Sequence, residues 1–178
     1  MKYLLLTIMM TMCTPLFAQY NIGGDIGYTT NNFINIDASI SKGLWYYGFS
    51  AQINISPGTK GKSYDKIIDW ENDLDGISDA GKFYAGSYGF DLGYYFMDNF
   101  CLGGGIGYAP HRLYRNFHDD MEILSNSGWY HVTKSDGGKI DAKAFIHYYF
   151  KRGRLGRFYL RGQYSIIGGI GASIGYQL

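Results

Sequence analysis

Two polar stretches hold the residues whose types could do chemistry. Residues 110–138 contain His111, His118, Asp119, Asp120, Glu122, Ser125 and His131. Acyl transfer needs a hydroxyl beside an imidazole that a carboxylate orients. Ser125 with His118 or His131, and Glu122 as orienter, is the one set these residues can assemble. No spacing among them forces that geometry, and loop residues of these types are commoner as solvated surface, so catalysis is not expected. Residues 56–82 contain Glu71-Asn72-Asp73-Leu74-Asp75-Gly76-Ile77-Ser78-Asp79. Oxygen ligands at alternate positions and a Gly at the sharp turn are features of a calcium loop. Glu71 stands where such a loop opens on Asp, and Lys82 replaces the bidentate Glu. Neither calcium nor any other cofactor is expected.

A third set recurs on alternate positions of apolar segments: Asp25, Asp37, Asp91, Asp141, Lys143 and Arg161. Each sits among Gly, Ser, Asn and Gln on one parity, while the other parity is Ile, Leu, Phe, Tyr and Ala. A strand sends successive side chains to opposite faces, so these charges share one face of whatever sheet the segments form. Buried unpaired, each would be costly, so Lys143 and Arg161 are expected to neutralise Asp37, Asp91 or Asp141. A gated ion path is the sharper alternative.

The elements that must position them can be read directly. Tyr20 to Thr29, Ile34 to Ile40, Tyr46 to Ile55, Tyr88 to Phe96, Phe100 to Tyr108, Ile140 to Phe150, Phe158 to Ile166 and Ile170 to Leu178 all alternate. That predicts eight strands, mostly near the ~9–11 residues that cross a bilayer at a tilt. Short turns such as Met97-Asp98-Asn99 fall on one side, and the two long inserts, 56–82 and 110–138, on the other. Ile67, Trp70, Leu74 and Ile77 have helical spacing and predict a short amphipathic helix in the first insert. His147 and Cys101 fall on the small, polar parity and read as interior filler. The run Lys151, Arg152, Arg154, Arg157 predicts a basic turn suited to anionic headgroups.

The amino terminus, MKYLLLTIMMTMCTPLFAQ, has a positive Lys2, an apolar Leu4–Met12 and a cleavage-like Pro15–Ala18. It predicts a secretory signal peptide over residues 1–18, too short to span. The remaining residues, 19–178, amount to one domain, in which Cys101 is the single cysteine. A net charge of +1 gives no reason to expect nucleic acid. With 26 Gly, 18 Tyr and only 3 Pro, the composition suits small interior positions and aromatic girdles.

Which face looks outward follows from charge. A water-facing surface carries interspersed Lys and Glu, and neither parity does. Small residues with scattered opposite charges suit a narrow lumen, which places the apolar face outside. Tyr46, Tyr95, Tyr149 and Tyr159 then fall inside, near the short-turn end, where they would plug the mouth. The alternatives are a secreted, soluble lipocalin-like barrel with an apolar pocket, and an outer-membrane lipid-modifying enzyme.

The whole of residues 19–178 resembles the small OmpA/OmpX-type outer-membrane barrels, on its eight alternating strands, its loop asymmetry and its last strand, Ile174, Tyr176 and Leu178, where Leu178 stands in place of the usual Phe. The resemblance implies an all-β, eight-stranded antiparallel up-and-down transmembrane barrel in the bacterial outer membrane, in contact with its lipids. It implies no ligand. A structural or surface-interaction role is expected, without catalysis or a wide pore. A surface protein or glycan partner would meet residues 56–82 and 110–138, with Trp70, Trp129 and Tyr130 as anchors.

Overall fold

The computed structural model describes residues 20–63, 77–118, 127–150 and 156–178. Its strands are β1 (Asn21–Thr29), β2 (Phe33–Lys42), β3 (Trp45–Asn54), β4 (Lys62–Ser63), β5 (Ile77–Tyr84), β6 (Gly86–Met97), β7 (Phe100–His118), β8 (Trp129–Tyr149), β9 (Arg157–Ser165) and β10 (Gly169–Gln177). Eight of them close a ring in the order β1-β2-β3-β6-β7-β8-β9-β10, with β10 returning to β1. Every pairing in the ring is antiparallel. All eight expected strands belong to it. No edge is left open, which removes the aggregation hazard of an apolar sheet.

The register gives the stagger. From Asp25 one route runs through Asp37, Ser50, Gly89 and Gly107 to Asp141. The other runs through Gly175 and Tyr159 to Tyr149. Both arrive on β8, eight residues apart, so the shear is eight. For eight strands that implies a tilt of roughly 36° and an interior that side chains fill in tiers. Nine residues at ~3.3 Å and this tilt give a wall about 24 Å high, the height of an outer-membrane apolar band.

Alternation along the ring is near-complete. In β2 the odd positions from Phe33 to Ser41 are buried, and Ile36 and Ile40 on the even parity are exposed. In β9, Tyr159, Arg161, Gln163 and Ser165 are buried while Phe158, Leu160 and Tyr164 are exposed. Between its two rims the outward parity carries only apolar residues, Gly and Ala.

The two inserts differ from expectation. Residues 110–118 and 129–138 are not loops but continuations of β7 and β8, paired from Arg112↔Ser135 to His118↔Trp129. β5 adds to the other edge of β7, from Tyr84↔His111 to Ile77↔Phe117, and β4 adds in parallel to β8. The physical reason is a register shift between Pro110 and Arg112, where β8 carries one extra residue. A bulge reverses which parity faces where, so a strand crossing it reads as broken alternation. The expected helix fares similarly at its end: Ile77 begins β5, and Ile67, Trp70 and Leu74 lie outside the described residues. So do the signal peptide, most of the calcium-like segment and the basic turn up to Leu155. Among the described residues no helix is long and apolar enough to cross a membrane, which says nothing of a barrel.

Candidate functional site

With shear equal to strand number, a step to the next strand along a register line raises a residue about as much as a step along the chain. The inward side chains therefore fall in tiers drawn from alternate strands. The lowest tier is Ser41, Tyr95, Tyr149 and Gln177. Tyr95 donates to the Tyr149 hydroxyl at 2.8 Å, and the Gln177 amide donates to Ser41 at 2.8 Å and Tyr95 at 3.3 Å. Arg157 lies over the Tyr149 ring at 4.0 Å and donates to Gln177 at 3.0 Å. Just above, Tyr46, Cys101 and Tyr159 pack with Phe145 into one buried cluster. His147 is buried between them, its ring 5.0 Å from that of Tyr159 and its Nδ1 3.2 Å from the Tyr149 hydroxyl. These layers close the short-turn end with rings.

The middle tiers hold the charge cluster, and Arg161 is its hub. Its side chain is fully buried. One terminal nitrogen donates to Asp37 Oδ2 at 2.9 Å and stands 3.6 Å from Asp25; the other donates to Asp91 Oδ2 at 2.6 Å. Phe145 supplies an aromatic face 4.4 Å from the guanidinium. Asp25 and Asp37 are register partners, and like charges directly opposite repel unless a cation lies between them. The spare carboxylate lone pairs are met by neutral donors: Tyr46 to Asp37 at 2.7 Å, Tyr159 to Asp25 at 3.1 Å, Asn35 to Asp25 at 3.2 Å and Ser50 to Asp91 at 3.3 Å. The tier of Arg161 contains Gly48 and Gly103, and that is where the large side chains find room. A Cβ on Gly48 would stand 3.0 Å from Asp37 Oδ2 and 2.9 Å from the Tyr46 hydroxyl.

Lys143 and Asp141 are in the same lumen but not in this cluster. Lys143 donates to Ser50 at 2.8 Å, which links it to Asp91 through that hydroxyl. Asp141, higher still, accepts from Ser87 at 2.7 Å, Ser165 at 3.2 Å and the Ile167 N–H at 3.2 Å. Through these bonds it pins the β9–β10 turn. Between Arg161 and Asp141, the buried atoms Asn35 Oδ1, Gln52 Nε2 and both amide atoms of Gln163 have no hydrogen-bond partner among the described residues. Phe33, Ala109 and Ile167, with Tyr84 against them, cap the top.

Sequence reasoning named Asp37, Asp91, Asp141, Lys143 and Arg161 as a network. Three of these meet, with Asp25 as a further direct partner of Arg161. The phenols of Tyr46 and Tyr159, taken as a plug, also serve the carboxylates. The signal was present in the parity, but the meeting of Asp91 with Arg161, 70 residues apart, needs the closed ring. Trp129 and Tyr130 are half-buried in β8 and not displayed on a loop. Lys60 lies 4.6 Å over the Trp129 ring, and Tyr130 stacks on Phe117 at 5.1 Å. Trp70 lies outside the described residues.

Of the acyl-transfer set, His118 meets the Trp129 ring at 4.8 Å and His131 faces the Lys60 carbonyl at 3.0 Å; Ser125 and Glu122 lie outside the described residues. Asp79 pairs with Lys60 at 3.7 Å. Among the described residues no three His, Cys, Asp or Glu side chains are grouped to hold a metal.

No protein-family model matches this chain, and no curated protein does. A solved structure described as "De novo design of transmembrane beta-barrels" aligns over 89% of this chain and 94% of its own, at 9% identity and a TM-score of 0.39. The chain is an eight-stranded antiparallel β-barrel, on the evidence of its own closed register.

Proposed function

We propose that this chain spans a bacterial outer membrane as a filled barrel with a structural or surface-interaction role, neither a catalyst nor a wide pore. One observation carries the reading: the apolar face of every ring strand is the exposed face. Ile26, Phe90, Leu102, Ile106, Ile140, Phe158 and Ile170 are each more than half exposed. In all, 31 large hydrophobic side chains are exposed among the described residues; at roughly 50 Å² or more each they exceed 1,000 Å², against the few hundred that a soluble monomer exposes in one patch. Hydrocarbon is the solvent that such a surface fits. A lipocalin-like pocket would need the opposite assignment, with apolar groups inside.

Aromatics at both ends of the wall support the same reading. Trp45, Tyr47, Tyr94, Phe96, Tyr148 and Phe158 lie at the short-turn rim, and Tyr28, Tyr88, Tyr108 and Tyr164 at the other, as interfacial girdles do. The sheet of β5, β7, β8 and β4 rises above that second rim and is the surface where a protein or glycan would be met.

Cysteines at Ser135 and Asp98, both exposed positions, test the topology. On intact cells an impermeant maleimide is expected to label Ser135→Cys and spare Asp98→Cys until the envelope is opened. Equal labelling of both, or recovery of the protein without detergent, would sink the proposal.

A further inference from the structure

The wall of the barrel is uneven. On the side of β9, β10, β1 and β2 it ends at the short turns 166–168 and 30–32, while β5, β7 and β8 continue upward on the other side. The mouth therefore opens sideways over a low rim. In it lies a cavity of about 580 Å³, a size ordinary for a ligand. Its walls divide by chemistry. Phe33, Phe83, Tyr84 and Tyr114 give aromatic surface, and Lys82 and Lys139 give two cations. Ile140 and Ile166, 66% and 59% exposed on the outward face, form part of the same lining, so the cavity adjoins the apolar belt.

Two described acids lie near it, both already engaged: Asp136, 3.9 Å from Lys82, is bonded to His111 at 3.0 Å, and Asp141, below the lining residue Ile167, accepts from the Ile167 N–H at 3.2 Å and from Ser87 and Ser165. Lys139 has no ion pair among the described residues, and its place beyond the belt is the depth of lipid headgroups.

Resting on the membrane reading above, we propose that this mouth binds a phosphorylated lipid of the surrounding leaflet. Its phosphate would sit between Lys82 and Lys139, and one acyl chain would pass over Ile140 and Ile166. Ammonium groups are point charges that suit a phosphate dianion, and the continuous path from cations to belt selects an amphiphile over a free anion.

The test uses the full chain in mixed micelles with dipalmitoyl phosphatidic acid, dipalmitoyl phosphatidylcholine or inorganic phosphate, read by native mass spectrometry. The wild type is expected to retain one phosphatidic acid with at least a tenfold preference over phosphatidylcholine. Lys82→Ala/Lys139→Ala should lower this to the neutral-lipid level, and Lys82→Arg/Lys139→Arg should keep it. Should the double alanine variant not fold, Lys139→Ala alone is expected to lower retention by severalfold. Equal retention of the two lipids, indifference to the alanine changes, or equal capture of inorganic phosphate would overturn the proposal. Heat-modifiable gel migration, scored on every sample, reports the barrel separately. Its presence beside absent lipid preference sinks only this inference, and its absence in the wild type sinks the membrane reading.

Discussion

The ring and the sheet that rises from it share two strands and obey different rules. In the ring both edges of every strand are paired, the parity never slips along the wall except near Tyr95–Met97, and the inward side chains are buried. In the rising sheet the register shifts at Ile77–Asp79 and again at Pro110–Arg112, and exposed Lys82, Arg112 and Lys134 stand beside half-buried Tyr114 and Tyr130. The same strands, β7 and β8, thus pass from a region where each side chain is dictated by closure to one where few are. Stability is expected to concentrate in the first and variation in the second.

Breaking the hub is the strongest test. Arg161→Leu leaves Asp25, Asp37 and Asp91 facing one another without a cation. A loss of about 3–5 kcal/mol, typical when one partner of a buried pair is removed, is expected in denaturant titration in phospholipid vesicles. A loss under 1 kcal/mol would mean the cluster is hydrated and the lumen is not filled. Next comes Gly48→Val, which forces branched carbon against Asp37 and Tyr46 and should cost about 1–3 kcal/mol by overpacking. Tyr149→Phe removes the acceptor for Tyr95 and should cost about 1 kcal/mol. If it also opened discrete conductance in planar bilayers, the tyrosine tiers would be the seal. The smallest effect belongs to the rising sheet. Phe117→Ala there is expected to leave the ring's unfolding midpoint within about 0.5 kcal/mol, as distant sites are independent, while speeding amide exchange in β5. A matched fall in both regions would show that they unfold as one unit.

How far the sequence carried the fold follows from these rules. Where Ile34, Ile36, Ala38 and Ile40 alternate with Asn35, Asp37 and Ser39, the covalent geometry of a strand leaves one reading, and the ring was legible. Beyond Tyr108 the bulge moves the odd and even positions past each other. His111 then shares a face with Asp136 and Tyr84, which no fixed period reveals. At Ile77, the one described residue of the helical spacing, the chain is a strand instead, because apolar residues in a polar run satisfy several periods. Of the charge cluster, the pairing of Arg161 with Asp37 and Asp91 was legible, and the placing of Lys143 and Asp141 was not. Lys143 and Asp141 are two residues apart on one face, yet they reach different hydroxyls. Lys143 meets Ser50 of β3, and Asp141 meets Ser87 of β6 and Ser165 of β9.

The seam between β1 and β10 carries a consequence for biosynthesis. Gly23 lies opposite Gln177, so the cylinder stays an open ribbon until β10 has joined β1. Loop-closure entropy makes so distant a pairing slow. Until then two bare borders, lined by Ile22, Ile26, Ile170 and Ile174, present unpaired N–H and C=O groups open to wrong pairing. A chain stalled one segment short would be no lesser version of this protein, but a sticky sheet for quality control to clear.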